Sequence, residues 1–124
     1  MKLRRKTIIF AVVYRSPSQT SAELQNFLCS IQGLVYATNL NRNKTSILTG
    51  DFNARCNSWW QLDASNHAGE SLKLATECLG LRQLISCATH ITNRSASCID
   101  LIFTSQPNIF ADSGVHPSLH PSCR

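Results

Sequence analysis

Asp51 and Asn53 stand two residues apart at the end of an apolar run, Ile47-Leu48-Thr49-Gly50-Asp51-Phe52-Asn53. Residues at i and i+2 of a strand point to the same face, so an extended chain here presents a carboxylate and an amide side by side. Such a pair can orient a water for attack and donate a hydrogen bond to a phosphate oxygen. Gly, Asp and Asn are also the ordinary turn residues, and the heptapeptide alone leaves both readings open. Asp100 is a second candidate. It interrupts Ile99-Asp100-Leu101-Ile102-Phe103, where a strand interior is expected to be apolar and a buried carboxylate is costly unless paired. An outward-facing Asp on an edge strand is the plainer alternative. Tyr14 closes Phe10-Ala11-Val12-Val13-Tyr14 just before Arg15-Ser16-Pro17. There its hydroxyl can reach a site at the strand ends, or its ring can sit at the rim of the core.

Other chemistry-bearing residues are less well placed. His116 and His120 have the four-residue spacing of helical metal ligands, but Pro117 and Pro121 forbid a regular helix between them. His67 and His90 read as structural or exposed. Trp59 and Trp60 can stack on bases, although a pair packed at the rim of the core is the simpler account. Six cysteines (Cys29, Cys56, Cys78, Cys87, Cys98 and Cys123) lie singly in apolar or helical settings, with no Cys-x-x-Cys pair to suggest zinc. They are expected to be reduced thiols. Asn43-Lys44-Thr45 and Asn93-Arg94-Ser95 match the glycosylation pattern, which matters only for an exported chain.

The elements that must hold these residues alternate strand and helix. Residues 7–14 are rich in β-branched and aromatic side chains without a polar alternation, the pattern of a strand covered on both faces. Thr20 and Glu23 make a capping box, followed by Leu24, Phe27, Leu28, Ile31 and Leu34 at helical spacing, with Gly33 weakening the later turns. A loop through 39–43 leads to a strand over Ser46–Thr49. A second helix is expected over about Gly69–Leu79, a short strand over Leu81–Ser86 and a longer one over Cys98–Thr104. The order places the chain in the α/β class.

The 124 residues suffice for one modest domain, and no apolar run approaches a membrane span. Lys2 to Lys6 followed by Ile8–Val13 mimics a signal peptide, but the apolar run is short and Tyr14-Arg15-Ser16-Pro17 is a poor cleavage context. The expected location is therefore nuclear or cytoplasmic, not secreted. The formal charge of +5 favours phosphate-bearing partners through counterion release, and equally fits a solubilising excess of Lys and Arg.

Tyr14-Arg15-Ser16-Pro17, Gly50-Asp51-Phe52-Asn53, Thr89-His90 and Ser97-Cys98-Ile99-Asp100 occur in an order and spacing that resemble the endonuclease/exonuclease/phosphatase superfamily. The nearest likeness is to endonuclease domains of non-LTR (LINE-type) retrotransposon reverse transcriptases, over about Ile8 to Cys123. The resemblance implies part of a β-sandwich flanked by helices, corresponding to the C-terminal half of that fold, with 1–124 as a single truncated domain. It implies divalent-metal-dependent hydrolysis of DNA, with Mg²⁺ as the ion and no small-molecule cofactor. In that resemblance Tyr14 contacts phosphate, Asp51 handles the attacking water or leaving oxygen, and Asn53 binds the scissile phosphate. Thr89 supports the site, and Asp100 orients a catalytic histidine.

The sequence departs from the pattern at both ends. The family's metal-binding Glu has no counterpart, because Glu23 follows Tyr14 and falls in a helix. The register of the family's terminal Ser-Asp-His falls on Ser122-Cys123-Arg124, and Arg cannot act as a general base at neutral pH. The expectation is an endonuclease-derived chain inactive by itself. The alternatives are a non-catalytic module that binds nucleic acid or protein, and a phosphatase of the same fold.

Overall fold

The computed structural model describes residues 7–39 and 44–109; His116, His120 and the Ser122–Arg124 register lie outside them, as does the Lys2–Lys6 cluster. The elements run β1 (Thr7–Tyr14), α1 (Ser21–Asn39), β2 (Lys44–Asp51), α2 (His67–Cys78), β3 (Arg82–Gln83), β4 (His90–Ile91), β5 (Ala96–Ser97) and β6 (Asp100–Thr104), then a 3-10 turn at Pro107–Ile109. β1 and β2 are parallel and α1 is the crossover between them, as parallel neighbours require. β6 runs antiparallel to β2 on one side and to β3 on the other, giving the order β1-β2-β6-β3, while β4 and β5 form a separate small hairpin.

α1 begins where the capping box predicts. The Thr20 hydroxyl accepts from the Glu23 backbone N–H at 3.2 Å, and the Glu23 carboxylate accepts from the Thr20 N–H at 3.3 Å, satisfying two otherwise orphaned donors. The helix continues through Gly33 because Leu24, Leu28, Ile31 and Val35 are all buried on one stripe, and tertiary packing outweighs a single weak helix former. α2 starts two residues earlier than its periodicity suggests. Asn66 is the N-cap, its side chain accepting from the Gly69 N–H at 2.8 Å. The Leu81–Ser86 strand shrinks to Arg82–Gln83, because the Gln83 side chain hooks both the N–H and the carbonyl of Ile85 and turns the backbone away from the ladder.

One core joins α1, α2 and one face of the sheet. It holds Leu24, Leu28, Ile31 and Val35 from α1, Leu72 from α2, and Leu48, Leu101 and Phe103 from the strands. Four rings cross it edge to face, with Phe27–Phe52 centroids at 6.2 Å, Phe52–Phe103 at 5.2 Å and Trp59–Phe103 at 5.7 Å. Trp59 and Trp60 both pack half-buried against this core.

Two expectations are corrected. β1 is not covered on both faces: Ala11 and Val13 pack on the core, but Ile8, Phe10, Val12 and Tyr14 are 54–78% exposed. Both helices lie on the odd-numbered side. The cysteines are not all unpaired either. Cys29, Cys56, Cys78 and Cys98 are free thiols, but Cys87 is disulfide-bonded. An apolar sequence setting reports burial, not which distant thiol the fold brings near.

α2 lies flush on the segment after Asn53. A Cβ at Gly69 would sit 1.7 Å from the Arg55 carbonyl oxygen, whereas one at Gly33 meets nothing within 4 Å. Gly69→Ala is expected to lower the unfolding free energy by about 1–3 kcal/mol through overpacking. Gly33→Ala should raise it by about 0.5–1 kcal/mol by removing a helix-interior glycine. Urea denaturation of the two variants beside the parent checks both signs.

Candidate functional site

The strand registers bring three of the sequence candidates into one row. Tyr14 pairs with Asp51 across β1 and β2, and Asp51 pairs with Asp100 across β2 and β6. Directly paired residues share a face, so the phenol and both carboxylates emerge on the same side at one end of the sheet. It is the side on which Ile8, Phe10, Val12 and Tyr14 of β1 are exposed. It explains how Asp100 sits in an apolar strand without an ion pair: the side chain is exposed and keeps its hydration. β6 is an inner strand of the sheet, so the edge-strand alternative fails although its outward-facing carboxylate is correct.

Asn53 is not the next residue of that strand face. β2 ends at Asp51, Phe52 turns down into the core at 0% exposure, and Asn53 adopts a left-handed φ of 45°, a conformation Asn tolerates better than most residues. The period-two expectation for Asp51 and Asn53 is thereby corrected, since the burial of Phe52 breaks the extended repeat. The two remain coupled through the turn. The Asp51 carboxylate accepts from the Asn53 backbone N–H at 3.0 Å, and the Asn53 amide donates to the Arg15 carbonyl at 2.7 Å. Gly50 is required beside them: its φ is +141°, and a Cβ there would lie 1.9 Å from the Val13 carbonyl oxygen.

Arg15 holds this turn and is the residue that sequence reasoning missed. It is only 4% exposed. Its guanidinium donates to the Phe52 carbonyl at 2.7 Å, to the Asn53 carbonyl at 2.5 Å and to the Gln19 side chain at 3.1 Å. Its own N–H bonds the Asp51 carbonyl at 2.9 Å. Burial lowers its pKa, and the Asp51 charge partly restores it. An arginine after a strand tyrosine carries no local signal for this, because its partners are backbone atoms 37 and 38 residues away.

Thr89 supports the other carboxylate. Its hydroxyl accepts the N–H of Ile99 at 3.1 Å and that of Asp100 at 2.9 Å, fixing the start of β6. Asp63, also missed, is buried and accepts the Cys98 N–H at 2.9 Å, so it anchors the same approach one residue earlier. Burial, with Asp63 and Asp100 adding to it, pushes the Cys98 thiol from 9.0 up to about 12.

Beside the row lies a groove of about 560 Å³. Asp51, Asn53 and Arg15 line it together with the first residues of α1 and α2, Arg55, and the β4–β5 hairpin with His90. No group of three or more His, Cys, Asp or Glu able to hold a metal ion occurs among the described residues. Asp51 and Asp100 are two carboxylates only, so these residues do not by themselves complete a Mg²⁺ site. No described helix is long and apolar enough to cross a membrane.

Residues 8–122 match the family model described as endonuclease-reverse transcriptase. The structure is similar to the endonuclease domain of TRAS1, a telomere-specific non-LTR retrotransposon, with 25% sequence identity and a TM-score of 0.58. The match covers 73% of this chain and 39% of that one, so the chain spans well under half of that domain. No curated protein matches the sequence.

Two outcomes follow. Arg15→Met should lower the unfolding free energy by about 2–3 kcal/mol, because it strips the guanidinium donors from the Phe52 and Asn53 carbonyls. Arg15→Lys should recover little of it, since one ammonium cannot reproduce the fork; chemical denaturation measures both. For Cys98, the raised pKa means that the folded state disfavours the thiolate. Its contribution to stability is complete below pH 9.0 and is lost as pH rises towards about 12. Stability measured across that window should fall less steeply in Cys98→Ala than in the parent.

Proposed function

The chain belongs to the endonuclease-reverse transcriptase family, and from that premise we propose that it carries the central part of a DNA-hydrolysing site in a non-LTR retrotransposon protein. The observation that supports this most is the single register row Tyr14–Asp51–Asp100 beside the Asn53 turn. In this reading Asp51 orients or deprotonates the attacking water, or protonates the leaving oxygen. Asn53, held by Arg15, lies against the scissile phosphate, and the Tyr14 hydroxyl donates to a non-bridging oxygen. Asp100, fixed through Thr89, stands where the family's carboxylate orients a catalytic histidine, whose register in this sequence falls on Arg124. Mg²⁺ is the ion proposed: bound, it would supply positive charge at the scissile phosphate, and Asp51 and Asp100 alone do not complete its site. The reaction is phosphodiester hydrolysis that nicks DNA and exposes a 3′ end.

The same shortage of metal ligands favours a second statement, that these 124 residues alone do not nick DNA above background. Losing a catalytic acid or base commonly costs about 10²–10⁴ in rate, and losing the metal's charge stabilisation costs several kcal/mol more. Supercoiled-plasmid nicking in Mg²⁺ tests both statements. The isolated chain should leave the plasmid intact. A TRAS1 endonuclease domain with its matching segment replaced by residues 8–122 should nick it, and Asp51→Asn in that chimera should abolish the activity. Nicking by the isolated chain that Asp51→Ala removes would overturn the inactivity. A chimera indifferent to Asp51→Asn would overturn the site.

A further inference from the structure

Part of the groove beside Asp51 is lined by residues that the hydrolytic row does not use. Arg55, His67 and His90 line it with the polar residues Asn66, Ser95 and Ser97, and Asp51 is the single carboxylate among the lining residues. We infer that these residues form a second phosphodiester subsite, at which Arg55, His67 and His90 hold the backbone of a DNA strand on one side of the bond that lies at Asp51. The inference rests on the phosphodiesterase reading above and extends it to the path of the strand.

Charge is the first support. Arg55 is exposed and has no ion-pair partner among the described residues, where the ion pair present is Lys73–Glu77 at 3.5 Å on another face of α2. A free guanidinium on a groove wall is suited to bidentate contact with a phosphate. His67 and His90 are exposed and line the same groove, where they offer imidazole N–H donors.

Rigidity is the second. The Arg55 N–H donates to the Asn66 side chain at 3.1 Å, the Arg55 carbonyl accepts the Asn66 N–H at 3.0 Å, and Gly69 lies flush against that carbonyl. The backbone carrying Arg55 is thus locked to the start of α2. Binding then orders one side chain rather than a loop. In the β4–β5 hairpin, Thr89 N–H bonds the Ser97 carbonyl at 2.9 Å, which ties His90 to the hairpin that also presents Ser95 and Ser97. Size is the third: at about 560 Å³ the groove holds more than the one phosphate engaged at Asp51.

Equilibrium binding of a fluorescently labelled DNA duplex to the 124-residue chain, read by anisotropy over a salt series, tests this. Each phosphate contact contributes about 0.9 to the slope of log K against log salt. Arg55→Gln should therefore reduce the slope by about 0.9, and Lys73→Gln should leave it unchanged. His67→Ala combined with His90→Ala should weaken binding by roughly 3- to 10-fold, as expected for two lost hydrogen bonds. The Arg55 side chain makes no contact that folding needs, and thermal unfolding of Arg55→Gln at the parent's temperature verifies this. Equal slopes for parent and Arg55→Gln would overturn the proposal, as would absence of duplex binding. Displacement of DNA by polyglutamate as effective as by unlabelled duplex would also overturn it, by showing a general acidic-peptide surface. Nicking by the chimera is a separate readout, so failure of the hydrolytic reading and failure of this one are told apart.

Discussion

The burial of Phe52 is the interaction on which the site depends. Its ring stands edge-on to Phe27 of α1 and to Phe103 of β6, its N–H bonds the Ile99 carbonyl at 2.9 Å, and its carbonyl accepts from the Arg15 guanidinium. One residue therefore ties the first helix, the last strand of the sheet and the turn after β1. Burying such a ring contributes on the order of 1.5–3 kcal/mol, with edge-to-face contacts adding about 0.5–1.5 kcal/mol. Because Phe52 goes down, Asp51 before it stays in the sheet and Asn53 after it must turn back.

Arg15 completes this arrangement from the other side. A buried guanidinium without a full ion pair is expensive, and here charge-assisted bonds to two main-chain carbonyls and to Gln19 offset that cost. The turn it clamps carries the carboxylate and the amide assigned to phosphate chemistry. Holding reactive groups on a preorganised turn lowers the reorganisation needed in the transition state, so the same contacts that stabilise the fold serve the proposed reaction.

The two faces of the sheet divide the work. The covered face takes Leu48, Leu101 and Phe103 into the core. The open face carries the row Tyr14–Asp51–Asp100, along with Ile8, Phe10 and Val12. Placing both carboxylates on the open side avoids the desolvation that would neutralise them in the core. Cys98 shows the opposite case. It is fully buried beside Asp63, and its thiol is held protonated well into the alkaline range.

Local pattern in the sequence determined the strand–helix alternation, the capping box at Thr20 and Glu23, the strand leading to Asp51 and the apolar strand around Asp100. These rest on contacts within a few residues, where side-chain period and turn chemistry act directly. The family motifs carried the choice of Tyr14, Asp51, Asn53, Thr89 and Asp100 as site residues. Only tertiary structure decided the register that puts Tyr14, Asp51 and Asp100 in one row, the left-handed turn at Asn53, the open face of β1 and the disulfide at Cys87. It also decided that Arg15 is a buried clamp and Asp63 a buried anchor. Each of these depends on partners dozens of residues away, such as Phe52 for Arg15 and Cys98 for Asp63. A run of β-branched residues fits a strand with one face covered as well as two, and a charged residue type does not say whether its partner is water or a distant carbonyl.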